Sequence, residues 1–342
     1  MTPRFDESIR VYVPGRSNPR IVCLGGGHGM STMLRGLKRY TRQITAIVTV
    51  ADDGGGSGML REDLGMPPPG DIRNCILALA NTEPTMEALL AYRFSEGSLK
   101  GQCFGNLFLA ALNGMSKTFD EAVRKMSDVL AITGRVLPVT NENVYLAAEF
   151  DDGTEVRGES RIADFKKGTD KRISRVRLLP RRPMALPEAI AAIQRAEMIV
   201  IGPGSLYTSI MPNFVTEGVA RAVALSDALR VYVLNIMTQD GETEDYTASD
   251  HVTALFEHAG EQLFDWCLAN SAELPKPILE RYKREGSEPV RVDEDALKKL
   301  HVNVCCAPLV TCEKGLVRHD TDALSRELLT LYRDKSHTRI YT

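Results

Sequence analysis

Two adjacent aspartates, Asp52 and Asp53, end the apolar stretch AIVTVA and run directly into the loop GGGSG at 54–58. Paired carboxylates beside a glycine-rich loop can hold Mg²⁺, because this ion prefers oxygen ligands and often shares them with phosphates. One acid at the end of a second strand can instead bind a ribose hydroxyl, and an Asp-Gly turn needs no ligand at all. Within the loop, Gly55 and Ser57 are candidate ligand-binding residues.

A second glycine cluster, GGGHGMS at 25–31, follows the first apolar run. It fails the dinucleotide fingerprint G-x-G-x-x-G, because Met30 takes the place of the third glycine. Gly26, Gly27 and Gly29 can still cradle a phosphate, since glycines allow close backbone approach and the next helix offers free N–H groups. A tight turn would need only one or two glycines, so the pattern favours a phosphate. His28 is expected to be a loop residue without a special role.

Three further polar segments could contribute to the same site. GPGS at 202–205 follows an apolar run, and its Gly204 and Ser205 can bind a second phosphate or a sugar, or can simply start a helix. PPPGDIRN brings Asp71 and Asn74 to the start of another helix, where Asp71 could be the N-cap. NIMTQDGETEDY begins with Asn235. The sequence lacks both the P-loop pattern GxxxxGK[ST] and the zinc pattern HExxH.

The segments that carry these residues alternate between strand and helix. IVCLG and ITAIVTV are continuous apolar runs, typical of parallel strands covered on both faces. The alternation predicts an α/β fold, a Rossmann-like doubly wound and mostly parallel sheet. The carboxyl ends of parallel strands meet at one edge, where ligands bind. TFDEAVRKMSDVL is the clearest helix, with a predicted capping box between Thr118 and Glu121.

Residues 135–182 have a different character and predict a β-rich insertion. VYLAAEFDDGTEVRGESRI indicates two strands joined around Asp-Gly. The stretch 166–182 is rich in Lys and Arg; without interleaved aromatic residues, a solvated face is favoured over nucleic-acid binding. Residues 1–19 are expected to form a flexible leader, and 20–342 a single α/β domain.

Composition indicates a cytoplasmic protein. The 342 residues are 43% hydrophobic and 25% charged, with a net charge of −3, so no overall field attracts nucleic acid or an anionic membrane. No apolar run reaches the roughly 20 residues of a membrane span, and MTPRFDESIR lacks the apolar core of a signal peptide. The seven cysteines show no C-x-x-C spacing, which favours reduced thiols.

Seven blocks, in order, resemble those of a known family. They are LGGGHGMSTMLRGLK, AIVTVADDGGGSGMLR, PPPGDIRNCILALAN, GNLFLAALN, IGPGSLYTSIMPN, NIMTQDGETEDYTASDHV and VRHD. From about residue 20 to the end, the chain resembles the YvcK proteins, or gluconeogenesis factors, of the CofD-like superfamily. It departs from them at His28, where the family more often has GTG, and at Gln102, where a histidine is common.

The resemblance implies a Rossmann-like sheet with a small β insertion in a cytosolic protein. It implies a regulatory protein that binds a UDP-sugar, notably UDP-N-acetylglucosamine, and supports cell shape and cell-wall synthesis during gluconeogenic growth. No catalytic activity is assigned to these proteins. Their CofD relatives are Mg²⁺-dependent transferases of a phospholactate-type group from a nucleoside-diphosphate adduct; that alternative would make Asp52 or Asp53 catalytic or metal-binding. An NAD-dependent oxidoreductase is the weakest alternative, because the fingerprint is broken.

The resemblance also assigns residues. It places nucleotide-sugar contacts at Tyr282 and Arg318, and a regulatory phosphorylation by a Ser/Thr kinase at Thr321. Tyrosine can stack on uracil and arginine can clamp diphosphate oxygens. A homo-oligomer is compatible with the family. The complete predicted binding set is Gly26, Gly27, Gly29, Asp52, Gly55, Ser57, Asp71, Asn74, Asn106, Gly204, Ser205, Asn235, Tyr282 and Arg318.

Overall fold

The structure is a computed structural model that describes residues 19–313 and 315–338. The predicted leader, residues 1–19, therefore lies outside the described residues except for residue 19. The strands of the main sheet are β1 (Ile21–Gly25), β2 (Ile44–Val48), β3 (Arg135–Pro138), β7 (Met198–Ile201), β8 (Leu229–Val233), β9 (Trp266–Asn270) and β10 (Asn303–Ala307); those of the smaller sheets are β4 (Tyr145–Phe150), β5 (Glu155–Arg157), β6 (Ile173–Leu179), β11 (Val310–Glu313) and β12 (Leu316–His319).

Helices cover and connect these strands. They are α1 (Gly27–Leu37), α2 (Gly55–Leu64), α3 (Gly70–Leu79), α4 (Pro84–Ala91), α5 (Phe104–Gly114), α6 (Phe119–Val129), α7 (Glu159–Lys167), α8 (Pro187–Arg195), α9 (Met211–Phe214), α10 (Val219–Ala224), α11 (Ala248–Ala259), α12 (Lys276–Arg284), α13 (Glu294–Lys299) and α14 (Thr321–Thr338). A π-helical turn, Leu206–Ile210, precedes α9. No helix among the described residues is both long and apolar enough to cross a membrane.

The main sheet confirms the predicted fold class. Its seven strands have the order β10-β9-β8-β7-β1-β2-β3, and every neighbouring pair is parallel. All five residues of β1 are buried, as expected for a strand covered by helices on both faces. The chain turns outward in opposite directions from β1 and β7. The topological switch point of the sheet therefore lies between β1 and β7, and ligands of such sheets bind at this point.

The β-rich insertion is shorter than predicted. Its antiparallel sheet consists of β4, β5 and β6 and spans 145–179, and α7 lies within it. The predicted start at 135 is wrong, because residues 135–138 form β3, which pairs in parallel with β2 at the edge of the main sheet. RVLP is a short run with few turn residues, so its sequence alone did not distinguish an edge strand from the start of an insertion.

The basic stretch of the insertion is partly neutralised by nearby acids. Lys171 pairs with Asp152, and Arg177 pairs with Glu155. Lys166 is buried, and its Nζ lies 3.0 Å from the Glu244 carboxylate in the loop that follows β8. Of these pairs, only Lys166–Glu244 joins the insertion to the main domain, and together they leave less free positive charge than the sequence suggests.

One predicted helix cap is also wrong. The Thr118 side chain makes no capping hydrogen bond at α6, and the Glu121 carboxylate instead accepts a 2.9 Å hydrogen bond from the Lys117 main chain. A reciprocal capping box occurs at α11, between Thr247 and Asp250. The Thr-x-x-Asp spacing there satisfies the same two N–H groups as Thr-x-x-Glu.

Candidate functional site

A polar cleft of about 890 Å³ lies at the carboxyl ends of β1, β7 and β8. Thirteen of the fourteen residues that were predicted to bind a ligand line this cleft. The exception is Gly26, which is buried and does not line it. The lining members of that set are Gly27, Gly29, Asp52, Gly55, Ser57, Asp71, Asn74, Asn106, Gly204, Ser205, Asn235, Tyr282 and Arg318.

The first glycine loop is packed tightly against its neighbours. A Cβ on Gly26 would lie 2.5 Å from Asp71 Oδ2, and one on Gly29 would lie 2.6 Å from the Pro203 carbonyl oxygen. The Gly27 N–H donates a hydrogen bond to the Asp71 carboxylate, and Gly27 has a φ of +66°, which favours glycine. These glycines therefore allow three loops to converge at one point.

Asn235 holds the second glycine loop in place. Its Nδ2 donates to the Gly204 carbonyl at 2.8 Å, and its Oδ1 accepts from the Gly204 N–H at 3.3 Å. Gln239 Nε2 donates to Ser205 Oγ at 2.8 Å. The structure therefore gives Asn235 a positioning role in addition to a place on the wall.

The buried Glu242 side chain binds the residues that directly follow this second glycine loop. Its carboxylate accepts hydrogen bonds from the Tyr207 main-chain N–H at 3.3 Å and from Thr208 Oγ1 at 2.7 Å. Burial raises the pKa of Glu242 to about 7, an effect that these hydrogen bonds oppose. Glu242, in the loop after β8, thus accepts hydrogen bonds from donors at the start of the helical turn that follows β7.

The floor of the cleft is acidic. Asp52 Oδ1 accepts the Gly54 N–H at 2.8 Å, and burial raises the pKa of this carboxyl. Asp71 lies on the first turn of α3; burial, followed by the negative charge of Asp52, raises its pKa to about 7. Pro69, not Asp71, is the N-cap of α3. Glu159, from the insertion, also lines the cleft, and burial raises its pKa well above the ordinary value.

Asp52 and Asp53 face different surroundings. Asp53 turns toward the insertion, where its Oδ1 accepts the Ser160 main-chain N–H at 2.9 Å. It lines a separate cavity of about 510 Å³ between α2 and the insertion. Asp52 is therefore the member of the pair that a ligand in the main cleft can reach.

The floor suits a hard cation bound together with phosphate. The described residues include no group of three or more His, Cys, Asp or Glu side chains that could hold a metal. The cleft does offer the carboxylates of Asp52 and Asp71 and the Asn106 Oδ1, a buried acceptor without a partner among the described residues. Mg²⁺ is commonly held by one or two carboxylates, with water and substrate phosphates completing its shell. The oxygens of Asp52, Asp71 and Asn106 are ligands of the kind that Mg²⁺ takes in such sites.

The opposite end of the cleft contains Tyr282 and the β11–β12 hairpin. The Tyr282 hydroxyl oxygen accepts the Val317 N–H at 2.9 Å, and its ring packs with Ile236, Met237 and Val317. Arg318 is exposed and lines the cleft. Its positive charge contributes, after burial, to the lowered pKa of His28, which also lines the cleft. His28 is thus part of the wall and of α1, rather than a simple loop residue.

Several wall residues were not predicted as ligand contacts, among them Arg73, Arg93, Glu159, Lys167, Gln239 and His319. Arg73 and Gln239 lie only two and four residues after Asp71 and Asn235, in segments that were already candidates for the site. Their closeness in sequence could therefore have identified them as wall residues. Arg93, Glu159 and Lys167 reach the cleft only through tertiary packing, and no local pattern marks them. Thr321 stands outside the wall, at the first residue of α14.

Comparison with known proteins shows the family to which the chain belongs. The family model of 2-phospho-L-lactate transferase CofD matches residues 21–310. The chain is 46% identical over 317 residues to the gluconeogenesis factor of Bacillus subtilis, covering 92% of this chain and 99% of the relative. The chain belongs to the CofD family, among its gluconeogenesis factors. This CofD-family chain is also 44% identical over 310 residues to the gluconeogenesis factor of Halalkalibacterium halodurans, covering 90% of this chain and 95% of that one.

A crystal structure of protein BH3568 from Bacillus halodurans has the same fold. The TM-score is 0.88 at 43% identity, and the match covers 92% of this chain and 100% of the crystallised one. The two chains therefore share one overall fold.

Proposed function

We propose that the protein binds a nucleoside-diphosphate sugar of the UDP-N-acetylglucosamine type in this cleft and acts as a cytoplasmic regulator of cell shape and wall synthesis during gluconeogenic growth. One observation carries the binding proposal. Three helices of ten or eleven residues, α1, α2 and α3, begin at the cleft with Gly27, Gly55 and Gly70. Their N-termini carry partial positive charge, which suits a diphosphate.

Side-chain charge supports the same ligand. Arg73, Arg93, Lys167 and Arg318 stand around the acidic floor. Arginine pairs with phosphate oxygens in a bidentate fashion, while Tyr282 and its apolar neighbours offer a flat wall for a base. A ligand that has a base, a charged diphosphate and a hydroxylated sugar would meet a complementary group in each part of the cleft.

Calorimetry tests this proposal against its rivals. UDP-N-acetylglucosamine, GDP with Mg²⁺, and NAD are each titrated into the purified protein. Binding of the UDP-sugar in the micromolar range, with no consumption of the ligand, supports a regulatory binding protein. Failure to bind any uridine nucleotide overturns the proposal.

The second candidate function is a Mg²⁺-dependent transfer of a phosphate-linked group, and the match to the 2-phospho-L-lactate transferase family supports the transfer itself. The observation that favours it is the oxygen cluster of Asp52, Asp71 and Asn106 on the cleft floor. When bound there, Mg²⁺ would neutralise diphosphate charge on the leaving group. GDP binding that requires Mg²⁺, without UDP-sugar binding, would favour this function.

A kinase acting on Thr321 is the proposed regulator. Asp320 Oδ1 caps α14 by accepting from the N–H groups of Asp322 and Ala323, at 3.0 and 2.7 Å. A phosphate on Thr321 would add about −1.5 to −2 charge three residues from Arg318. It would compete for this arginine and weaken diphosphate binding. Equal UDP-sugar affinity of the wild type and Thr321→Glu would argue against this regulation.

A further inference from the structure

His319 occupies the cleft end that Tyr282 lines. It is the last residue of β12, is only 8% exposed, and forms part of the cleft wall. In β12 it lies on the same face as Val317, because side chains alternate along a strand. Its surroundings on the wall include the apolar Ile236, Met237 and Val317.

The hydrogen bonding of His319 leaves one ring nitrogen unused. The Leu234 main chain accepts a hydrogen bond from the imidazole, while Nε2 has no partner among the described residues; the bonded atom is therefore Nδ1. Burial lowers the pKa of His319 to about 4, so the ring is neutral at pH 7. With the proton on Nδ1, Nε2 presents a lone pair and can only accept.

Buried acceptors of this kind nearly always have a partner, and leaving one unpaired costs about 1–3 kcal/mol. The nearby Tyr282 hydroxyl is committed to the Val317 N–H. No partner for Nε2 lies among the described residues, so a donor on a ligand bound in the cleft would satisfy this nitrogen. Apolar walls beside a single acceptor fit the edge of a planar base better than a sugar with several hydroxyls.

We propose that His319 Nε2 accepts a hydrogen bond from the imide N–H of the nucleobase and so selects uracil over cytosine. This inference rests on the proposed nucleotide-sugar function. Uracil carries a hydrogen on N3, whereas the N3 of cytosine is itself an acceptor. A cytosine in the same pose would place two lone pairs against each other.

Ligand analogues test the contact in the wild-type protein, with no substitution that could disturb folding. UDP, 3-methyl-UDP, 5-methyl-UDP and CDP are titrated by calorimetry. Loss of the imide N–H in 3-methyl-UDP should weaken binding about tenfold or more, the scale of one lost hydrogen bond with an acceptor left unpaired. The 5-methyl compound adds the same bulk but keeps the N–H, so its affinity should match that of UDP more closely. Binding of 3-methyl-UDP or of CDP as tight as that of UDP overturns the inference.

A substitution then assigns the effect to His319. His319→Asn keeps an amide at the position of Nδ1, where it can still donate to Leu234, and removes the acceptor at Nε2. The variant should bind UDP and UDP-N-acetylglucosamine about tenfold more weakly and lose the preference of UDP over 3-methyl-UDP. The matched control is His301→Asn, at an exposed histidine with a φ of +59° that asparagine tolerates.

The outcomes separate the two proposals. A wild type that binds no uridine nucleotide overturns both. A wild type that binds UDP and 3-methyl-UDP alike overturns only the role of His319. Weakening of UDP-sugar binding with unchanged UDP binding in His319→Asn would assign the donor to the sugar and overturn the base contact.

Discussion

The Oδ2 atom of Asp71 lies 2.5 Å from the position that a Cβ atom would occupy on Gly26. Gly26 has an extended backbone, with φ −170°, that any residue can adopt. The requirement for glycine is therefore steric: it lets the carboxylate of α3 reach the start of α1. Gly26→Ala should displace Asp71, cost about 1–3 kcal/mol of stability and weaken UDP-sugar binding.

Gly114→Ala is the control for this prediction. A Cβ at Gly114 would meet no other atom of the described chain within 4 Å, so the change should be neutral or slightly stabilising in α5. Chemical denaturation and calorimetry on both variants provide the comparison. If Gly26→Ala behaves as Gly114→Ala does, the contact with Asp71 has no energetic importance.

Removal of the Arg318 side chain should weaken binding of UDP-N-acetylglucosamine without affecting the fold. Arg318 is exposed at the cleft, so its loss leaves no buried group unpaired. A hydrogen bond to a charged phosphate contributes about 1.5–3 kcal/mol, which predicts a loss of at least about tenfold in affinity for Arg318→Ala. Arg326→Ala, at an exposed arginine on α14, should bind as the wild type does. Equal affinities would remove Arg318 from the binding site.

Asp71 should make stability depend on pH. Its folded pKa, about 7, lies above the ordinary 3.8 because of burial and the nearby Asp52. The folded protein thus holds this proton more tightly than the unfolded chain, and its free energy of unfolding should fall as pH rises from about 4 through 7. Asp71 keeps some contact with solvent in the cleft, so we expect a loss of roughly 1–2 kcal/mol.

Asp71→Asn provides the check, because its amide oxygen can still accept from Gly27 but does not titrate. Between pH 5 and pH 8 the wild type should lose more stability in urea than this variant. Glu242, whose pKa is also raised to about 7 by burial, contributes to both proteins and cancels in the difference. Parallel pH profiles would show that Asp71 is ionised throughout.

Asp52 and Asp53 should differ in their effect on Mg²⁺. Only Asp52 of the two lines the main cleft, so Asp52→Asn should remove any Mg²⁺-dependent gain in nucleotide affinity, whereas Asp53→Asn should keep it. Asp53→Asn should instead lower stability by about 1 kcal/mol by weakening the contact with Ser160. Titrations of UDP and GDP with and without Mg²⁺ decide the matter. Loss of the Mg²⁺ effect in Asp53→Asn alone would reverse the assignment.

The sequence predicted the sheet and the gathering of its loops, because continuous apolar runs and glycine turns are local signals. Ser57 and Gly204, which follow strands, therefore lie on one cleft, whereas the place of Tyr282 on it was suggested only by the family resemblance. The sequence could not show that the side chains of Asp52 and Asp53 point in different directions. The direction of Asp53 depends on a contact with Ser160, 107 residues away in the insertion. Glu159 was missed for the same reason: its carboxylate reaches the cleft only when the insertion packs on the main sheet.

The cleft wall includes Gly27 near one end of the described chain and His319 near the other. A ligand that touches both links the start of α1 noncovalently to the β11–β12 hairpin. Such a ligand stabilises the folded chain by RT ln(1 + [L]/Kd), about 2.7 kcal/mol at a hundredfold excess over Kd. The abundance of the nucleotide sugar in the cell would then set the lifetime of the protein itself, since a chain that unfolds less often is degraded more slowly.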